Sequence, residues 1–151
     1  MRVVLDEGAK LPTRAHETDA GYDLFAREDF VIPPGKTDWD FGSGYHEVSL
    51  GCATHDTGVH VEIPKGYVGF IKSKSGLNVK HGITAEGVID SGYTGSIVVK
   101  LYNHTKDIYK VKKGDKITQL VILPIYTPDL ELVTELDETE RGDGGFGSTG
   151  K

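Results

Sequence analysis

The chain has 151 residues, one cysteine and a formal net charge of −6, from 17 Lys and Arg against 23 Asp and Glu; this suffices for one domain whose core needs no disulfide or structural metal. The single Cys52 excludes an internal disulfide framework and a multi-cysteine zinc site, so a reducing compartment, the cytoplasm by default, is expected. The negative balance repels nucleic acid and anionic membranes at long range, so any phosphate site has to be local.

Met1-Arg2-Val3-Val4-Leu5-Asp6 meets a charge too soon for a signal-peptide core, and the sequence holds no apolar run of about 18 residues for a membrane span. The 20 glycines are well above the ordinary share of about 7%. They are spread along the chain and predict many tight turns. Asp19-Ala20-Gly21-Tyr22-Asp23-Leu24 carries two acids. They serve either as turn formers or as ligands, and oxygen-rich, thiol-free chemistry suits Mg²⁺ better than zinc.

Lys36 to Thr54, with Trp39, Phe41 and Tyr45 among Asp, Gly and Ser, reads as a surface hairpin or loop. Its aromatics either pack on their own domain or mark a protein-partner surface. Val59-His60-Val61-Glu62-Ile63 and Ile97-Val98-Val99-Lys100-Leu101 alternate apolar residues between Gly and Pro, the pattern of short strands. Ser73-Lys74-Ser75-Gly76-Leu77 predicts one short helix from Leu77 to Lys80 with Ser75 capping it. Its free N–H groups form a phosphate seat, or the segment is an ordinary cap beside a solvated lysine.

His81 to Gly95 reads as a β-hairpin followed by a second tight turn. Within it, Asp90 ends an apolar stretch, either as a general base for a water or as a cap of the Ser91-Gly92 turn. Tyr93 by itself reads as a half-buried strand aromatic. In Gly114 to Leu120, Gln119 sits beside apolar residues and must find hydrogen bonds from backbone or ligand. Leu120-Val121-Ile122-Leu123 has no polar face, so burial on both sides is expected, against another subunit or in a sandwich core. No window supports a long amphipathic helix, and many short strands with close turns indicate an all-β sandwich, jelly roll or barrel.

The segment from Arg141 to Lys151 spells G-x-G-x-x-G at Gly142, Gly144 and Gly147, and most of a Walker A loop at Gly145, Gly150 and Lys151. Neither has the strand and helix its chemistry needs. What remains is close glycine spacing that lets N–H groups approach an anion, the Arg141 fork, the Ser148 and Thr149 hydroxyls and the Phe146 face. A frayed solubilising tail and a ligand-ordered lid fit that composition equally well. His16, His46, His55, His60, His81 and His104 show no metal-ligand spacing.

Five of these segments, in this order, resemble one family, the trimeric dUTPases: Ala20 to Leu24, Ser73 to Leu77, Gly87 to Gly95 with Ile97, Gly114 to Leu120, and Arg141 to Gly150. The resemblance implies a single domain over 1–151, a jelly-roll-like distorted barrel with one short helix, and a homotrimer whose C-terminal arm reaches a neighbouring subunit. It implies Mg²⁺-dependent hydrolysis of dUTP to dUMP and pyrophosphate, which limits uracil incorporation into DNA and supplies dUMP for dTMP synthesis. By the same resemblance Asp90 is the base, Tyr93 packs against deoxyribose, and the backbone of Gly87, Val88 and Ile89 faces uracil. Lys74, Ser75, Gly76 and Gln119 hold phosphates, and Asp23 binds water on the metal. Phe146 stacks on uracil, while Arg141, Gly147, Ser148 and Thr149 close the phosphate end, with 141–151 as a lid.

The chain departs from the family at Ser73-Lys74, where Pro-Arg is usual, and so exchanges a bidentate fork for a point charge. The hairpin before Asp90 is shorter than in several relatives, and the 36–54 stretch is longer. Two other readings fit the scaffold: a dCTP deaminase, which lacks this tail, and a non-catalytic dUTP sensor with the Trp39 loop as its protein interface.

Overall fold

A computed structural model describes residues 1–39, 46–49 and 51–144. In chain order the elements are β1 (Val3–Leu5), β2 (Gly21–Phe25), β3 (Phe30–Ile32), β4 (Lys36–Trp39), β5 (His46–Ser49), β6 (Gly51–Asp56), β7 (Val59–Val61) and β8 (Tyr67–Lys72). They continue with α1 (Ser75–His81), β9 (Ile83–Ile89), β10 (Val98–Asn103), β11 (Tyr109–Val111) and β12 (Lys116–Pro124). The expected all-β, jelly-roll-like architecture with one short helix is present.

A sheet in the order β2-β12-β8-β9-β10-β6 forms the body, and the pairs β1-β7, β3-β11 and β4-β5 complete it. All pairings are antiparallel. The sheet curls at β9, because that strand changes partner along its length. Its first part, Ile83 to Ala85, pairs with β10, whereas Glu86 to Ile89 pairs with β8. Glu86 to Ile89 therefore pairs with no strand on its β10 side among the described residues. Alternation works as expected in β10, where Val99, Leu101 and Asn103 turn inward and Val98 and Lys100 outward. Leu24, Ile32, Ile71, Ile83, Ile97, Ile117 and Leu120 fill the core with them.

Three sequence expectations change. The stretch from His81 to Asp90 is not a hairpin but the end of α1 and one continuous strand. Gly82 is the left-handed C-cap of the helix, with φ +62°, and its N–H bonds the Asn78 carbonyl at 2.9 Å. The helix runs from Ser75 to His81, and its N-cap is Lys74, whose side chain makes no cap bond; Ser75 lies inside the first turn. In β12, Leu120 is buried, but Val121 and Ile122 are half-buried and Leu123 is 45% exposed, so the chain itself covers only one face. Within the Lys36 to Thr54 stretch, β4 and β5 pair antiparallel, with Thr37 opposite Val48. Its last residues instead belong to β6, paired with β10.

Candidate active site

The register places three sequence segments side by side. Asp23 on β2 lies opposite Gln119 on β12, and Gln119 lies opposite Lys72, the last residue of β8. Beyond Lys72 the chain turns through Ser73 into α1, so Lys74 stands at the mouth of the helix, extended at φ −79° and ψ 130°. A register shift between Lys116 and Thr118 bends the start of β12. Lys116 then reaches Asp23 Oδ2 at 2.6 Å, while the Lys74 ammonium donates to Asp23 Oδ1.

Asp23 is only 6% exposed. Burial pushes its carboxyl up, but the hydrogen bonds and charges of Lys116 and Lys74 outweigh this and hold it below the ordinary carboxylate value. Its backbone is also tied, since its N–H donates to the Thr13 carbonyl at 2.7 Å.

The surrounding floor is cross-linked by side chains. Gln119 Nε2 donates to the Ser73 carbonyl at 3.0 Å, and Thr118 Oγ1 to the Lys72 carbonyl at 2.7 Å. Ser73 Oγ donates to the Ala85 carbonyl at 3.1 Å and accepts from the Ala85 N–H at 2.9 Å. Glycine at position 21 leaves room for the Gln119 side chain, since a Cβ there would lie 2.6 Å from Gln119 Oε1. Ser75 and Gly76 are exposed at the first turn of α1, where unpaired N–H groups and the lysine favour an anion.

Asp90, the next residue after β9, is exposed. The Tyr93 N–H donates to its carbonyl at 3.0 Å, which closes a turn. Tyr93 is half-exposed and folds back so that its hydroxyl donates to the Ser96 carbonyl at 2.8 Å. Gly95 makes room for that ring, since a Cβ there would sit 2.5 Å from the Tyr93 hydroxyl. The Ser96 hydroxyl donates to Asp56, which also accepts from the Gly58 N–H at 2.9 Å. These bonds, the serine's first, hold the Asp56 carboxyl below its ordinary value. Of the residues leading into the turn, Val88 is exposed and Ile89 buried, and Gly87 lies over Ile71.

Asp23, Lys74 and Gln119 are thus brought together, but Asp90 is not among them. Ile89 pairs with Gly69, three positions along β8 from Lys72. At about 3.3 Å per residue this sets Ile89 roughly 10 Å along the sheet from Lys72, and Asp90, one residue further on, lies farther still from the lysine pair. Arg141 is exposed and donates from Nε to its own turn at the Gly144 carbonyl, 3.0 Å away. Phe146, Gly147, Ser148 and Thr149 lie outside the described residues.

Among the described residues no group of three or more His, Cys, Asp or Glu can hold a metal. Both Asp23 oxygens face ammonium groups, yet a carboxylate has about four acceptor sites. Asp23 is thus paired within the chain, and the described residues offer no protein cage for a cation. Lys116 was not expected at the site, because its only sequence signal was a lysine in a turn; its meeting with Asp23 follows from β12 lying beside β2. No helix of the described residues is long and apolar enough to cross a membrane.

A family model described as dUTPase matches residues 47–150. The deoxyuridine 5'-triphosphate nucleotidohydrolase of Clostridium tetani is 44% identical over 151 residues, covering 98% of this chain and 94% of that protein. The structure of the Staphylococcus bacteriophage 80alpha dUTPase with dUpNHpp matches with a TM-score of 0.82 at 34% identity, over 99% of this chain and 98% of that one. A mutant dUTPase from phage phi11 of S. aureus, whose structure shows coordination of a structural Mg(II) ion, matches with a TM-score of 0.75 at 32% identity, over 91% of this chain and 98% of that one.

Proposed function

Because this chain belongs to the dUTPase family, we propose that it hydrolyses dUTP to dUMP and pyrophosphate at a site whose floor is the Asp23, Lys74 and Gln119 cluster. The convergence of the first, second and fourth sequence segments on that cluster carries the reading. Lys74, Ser75 and Gly76 at the mouth of α1, with Gln119, bind the phosphates, and Asp23 orients water toward a cation. Bound Mg²⁺ supplies charge neutralisation along the triphosphate.

Asp90 accepts a proton from a water that attacks the α-phosphorus; the bond to the bridging oxygen breaks and pyrophosphate leaves. The free edge of β9 at Gly87, Val88 and Ile89 offers N–H and C=O groups to uracil, and the Tyr93 ring excludes a 2′-hydroxyl. The separation of Asp90 from the lysine pair within one chain supports sites completed by neighbouring copies, hence a homotrimer. The half-open face of β12 supports this too, as does the following apolar stretch, where Tyr126, Leu130, Leu132 and Leu136 are almost fully exposed.

In this reading residues 1–151 are one domain, and 141–151 is the lid that brings Arg141, Phe146, Gly147, Ser148 and Thr149 to the substrate. Removal of dUTP limits uracil incorporation into DNA and provides dUMP for dTMP synthesis, in a reducing cytoplasm where Cys52 stays a thiol. The β4-β5 hairpin pairs with no other strand among the described residues, and it is the surface we assign to a protein partner. Incubation with dUTP, and separately with dCTP, in the presence of Mg²⁺ tests the activity. Release of pyrophosphate without ammonia is expected; ammonia release from dCTP would place the chain with the deaminases, and binding without turnover would make it a sensor.

A further inference from the structure

His60, on β7, lies outside all five segments that build the site, yet its ring is held at both ends. Nδ1 is 2.9 Å from the Thr94 carbonyl oxygen and Nε2 is 3.2 Å from Asp6 Oδ1. Both partners are acceptors only. A neutral imidazole has one N–H and one lone pair, so one of these contacts would set lone pair against oxygen; the imidazolium donates to both. Thr94 directly follows Tyr93, and the same turn is anchored on its far side by Ser96 on Asp56.

The surroundings fix the ring. Arg27 Nη1 lies 3.4 Å from the second Asp6 oxygen, which orients that carboxylate. Asp56 adds a more distant negative charge. Arg2 and Glu62 flank the ring but pair with each other. An open cleft of about 400 Å³, lined by Arg2, Val4, His60, Val61, Glu62 and Thr94, admits water, so the ring exchanges protons with solvent. The Thr94 carbonyl first, opposed by partial desolvation and aided by Asp6, raises the imidazole above its ordinary value.

We infer that His60 is a positioning residue: its protonated ring clasps the Asp90 to Tyr93 turn to Asp6, and loss of that proton loosens the turn that presents Tyr93 to the sugar. The inference rests on the assignment of Tyr93 to the deoxyribose. Its direct consequence is a dUTP KM that rises, and a preference over UTP that falls, as pH climbs through the His60 titration, while kcat changes less.

The test has two arms. In the first, NMR follows the His60 ring nitrogens and the backbone amides of 91–96 against pH in the wild-type chain and in Asp6→Asn. One shared midpoint, above that of an exposed histidine and lowered in Asp6→Asn, is expected. A neutral His60 ring at about pH 6, or amides that ignore its titration, overturns the clasp whatever the enzyme does. In the second, kcat and KM for dUTP and UTP are measured from about pH 6 to 9. The wild-type KM should rise about tenfold across the range, whereas His60→Gln should sit at the weaker value throughout. Parallel profiles for the two proteins overturn the positioning role. A chain that shows the linked NMR midpoint but no turnover refutes the proposed activity and leaves the clasp standing.

Discussion

At the mouth of α1 the polar groups already satisfy one another: Asp23 has two lysines, Gln119 has the Ser73 carbonyl, and Ser73 has both backbone groups of Ala85. In the turn after β9 the opposite holds. Asp90 is exposed, Tyr93 is half-exposed, and the anchors lie on Thr94 and Ser96, to one side of the residues assigned to chemistry. A buried ion pair and its hydrogen bonds need paired strands to hold them, so the binding floor is built into the fold. The base we propose at Asp90 must reach water and sits on a turn, where in our proposal substrate and neighbouring copies complete its environment. Damage to the floor should therefore appear in stability and KM together, and loss of the Asp90 carboxylate in turnover alone.

Asp90→Asn gives the largest expected contrast. It should lower kcat by about 10²–10⁴, the usual contribution of a positioned base, and leave the melting temperature and dUTP affinity unchanged. Pyrophosphate release, calorimetry and light scattering measure the three quantities, and an active variant overturns the base assignment. Deletion of 141–151 comes next, with a loss of roughly 10² in kcat/KM for the lost anion donors and unchanged folding. Equal turnover in the truncated chain would remove the segment from the site. Lys116→Met tests the floor. Asp23 keeps Lys74, and Lys116 is partly exposed, so a loss of about 1–2 kcal/mol in denaturant unfolding is expected together with a raised KM. A change in kcat alone would erase the contrast between floor and turn.

The sequence carried the floor better than the turn, for physical reasons. Asp23, Lys74 and Gln119 stood in recognisable segments, and their chemistry required only that β2, β12 and β8 be neighbours. Lys116 was missed because its partner is fixed by sheet order and by the shift at the start of β12. The expected hairpin from His81 gave way to a helix end and a strand because a glycine such as Gly82 at positive φ serves a hairpin turn and a helix C-cap alike; what decides is the Asn78 carbonyl four residues back. Ser75 was misplaced by one position, since a cap is defined by extended backbone, here at Lys74, and not by the hydroxyl. The apolar run in β12 announced two covered faces, but only one cover is encoded within the chain. His60 gave no signal at all, because its two acceptors lie on distant parts of the chain.

The smallest expected effects are in the pH dependence of stability, where floor and turn face opposite ways. Asp23 has a folded value below its ordinary 3.8, so its contribution is complete above that value and is lost as pH falls through the lower folded one. His60 is raised above 6.5; it contributes fully below that pH and loses its contribution as pH rises through the folded value. A second imidazole must be separated from these. His55 is buried, stacks on Phe30 with ring centroids 4.4 Å apart, and accepts the Arg27 N–H at 2.8 Å. Desolvation lowers it from 6.5, against the raising pull of Glu28 and Asp56. Its contribution is therefore present above pH 6.5 and declines in acid, by less than about 1.4 kcal/mol per pH unit. Urea unfolding across the pH range should show both arms in the wild-type chain. His55→Gln, whose amide oxygen can still accept from Arg27, should flatten only the arm beginning near 6.5, and His60→Gln only the alkaline arm. An alkaline arm that survives His60→Gln would show that the turn is not held by that ring.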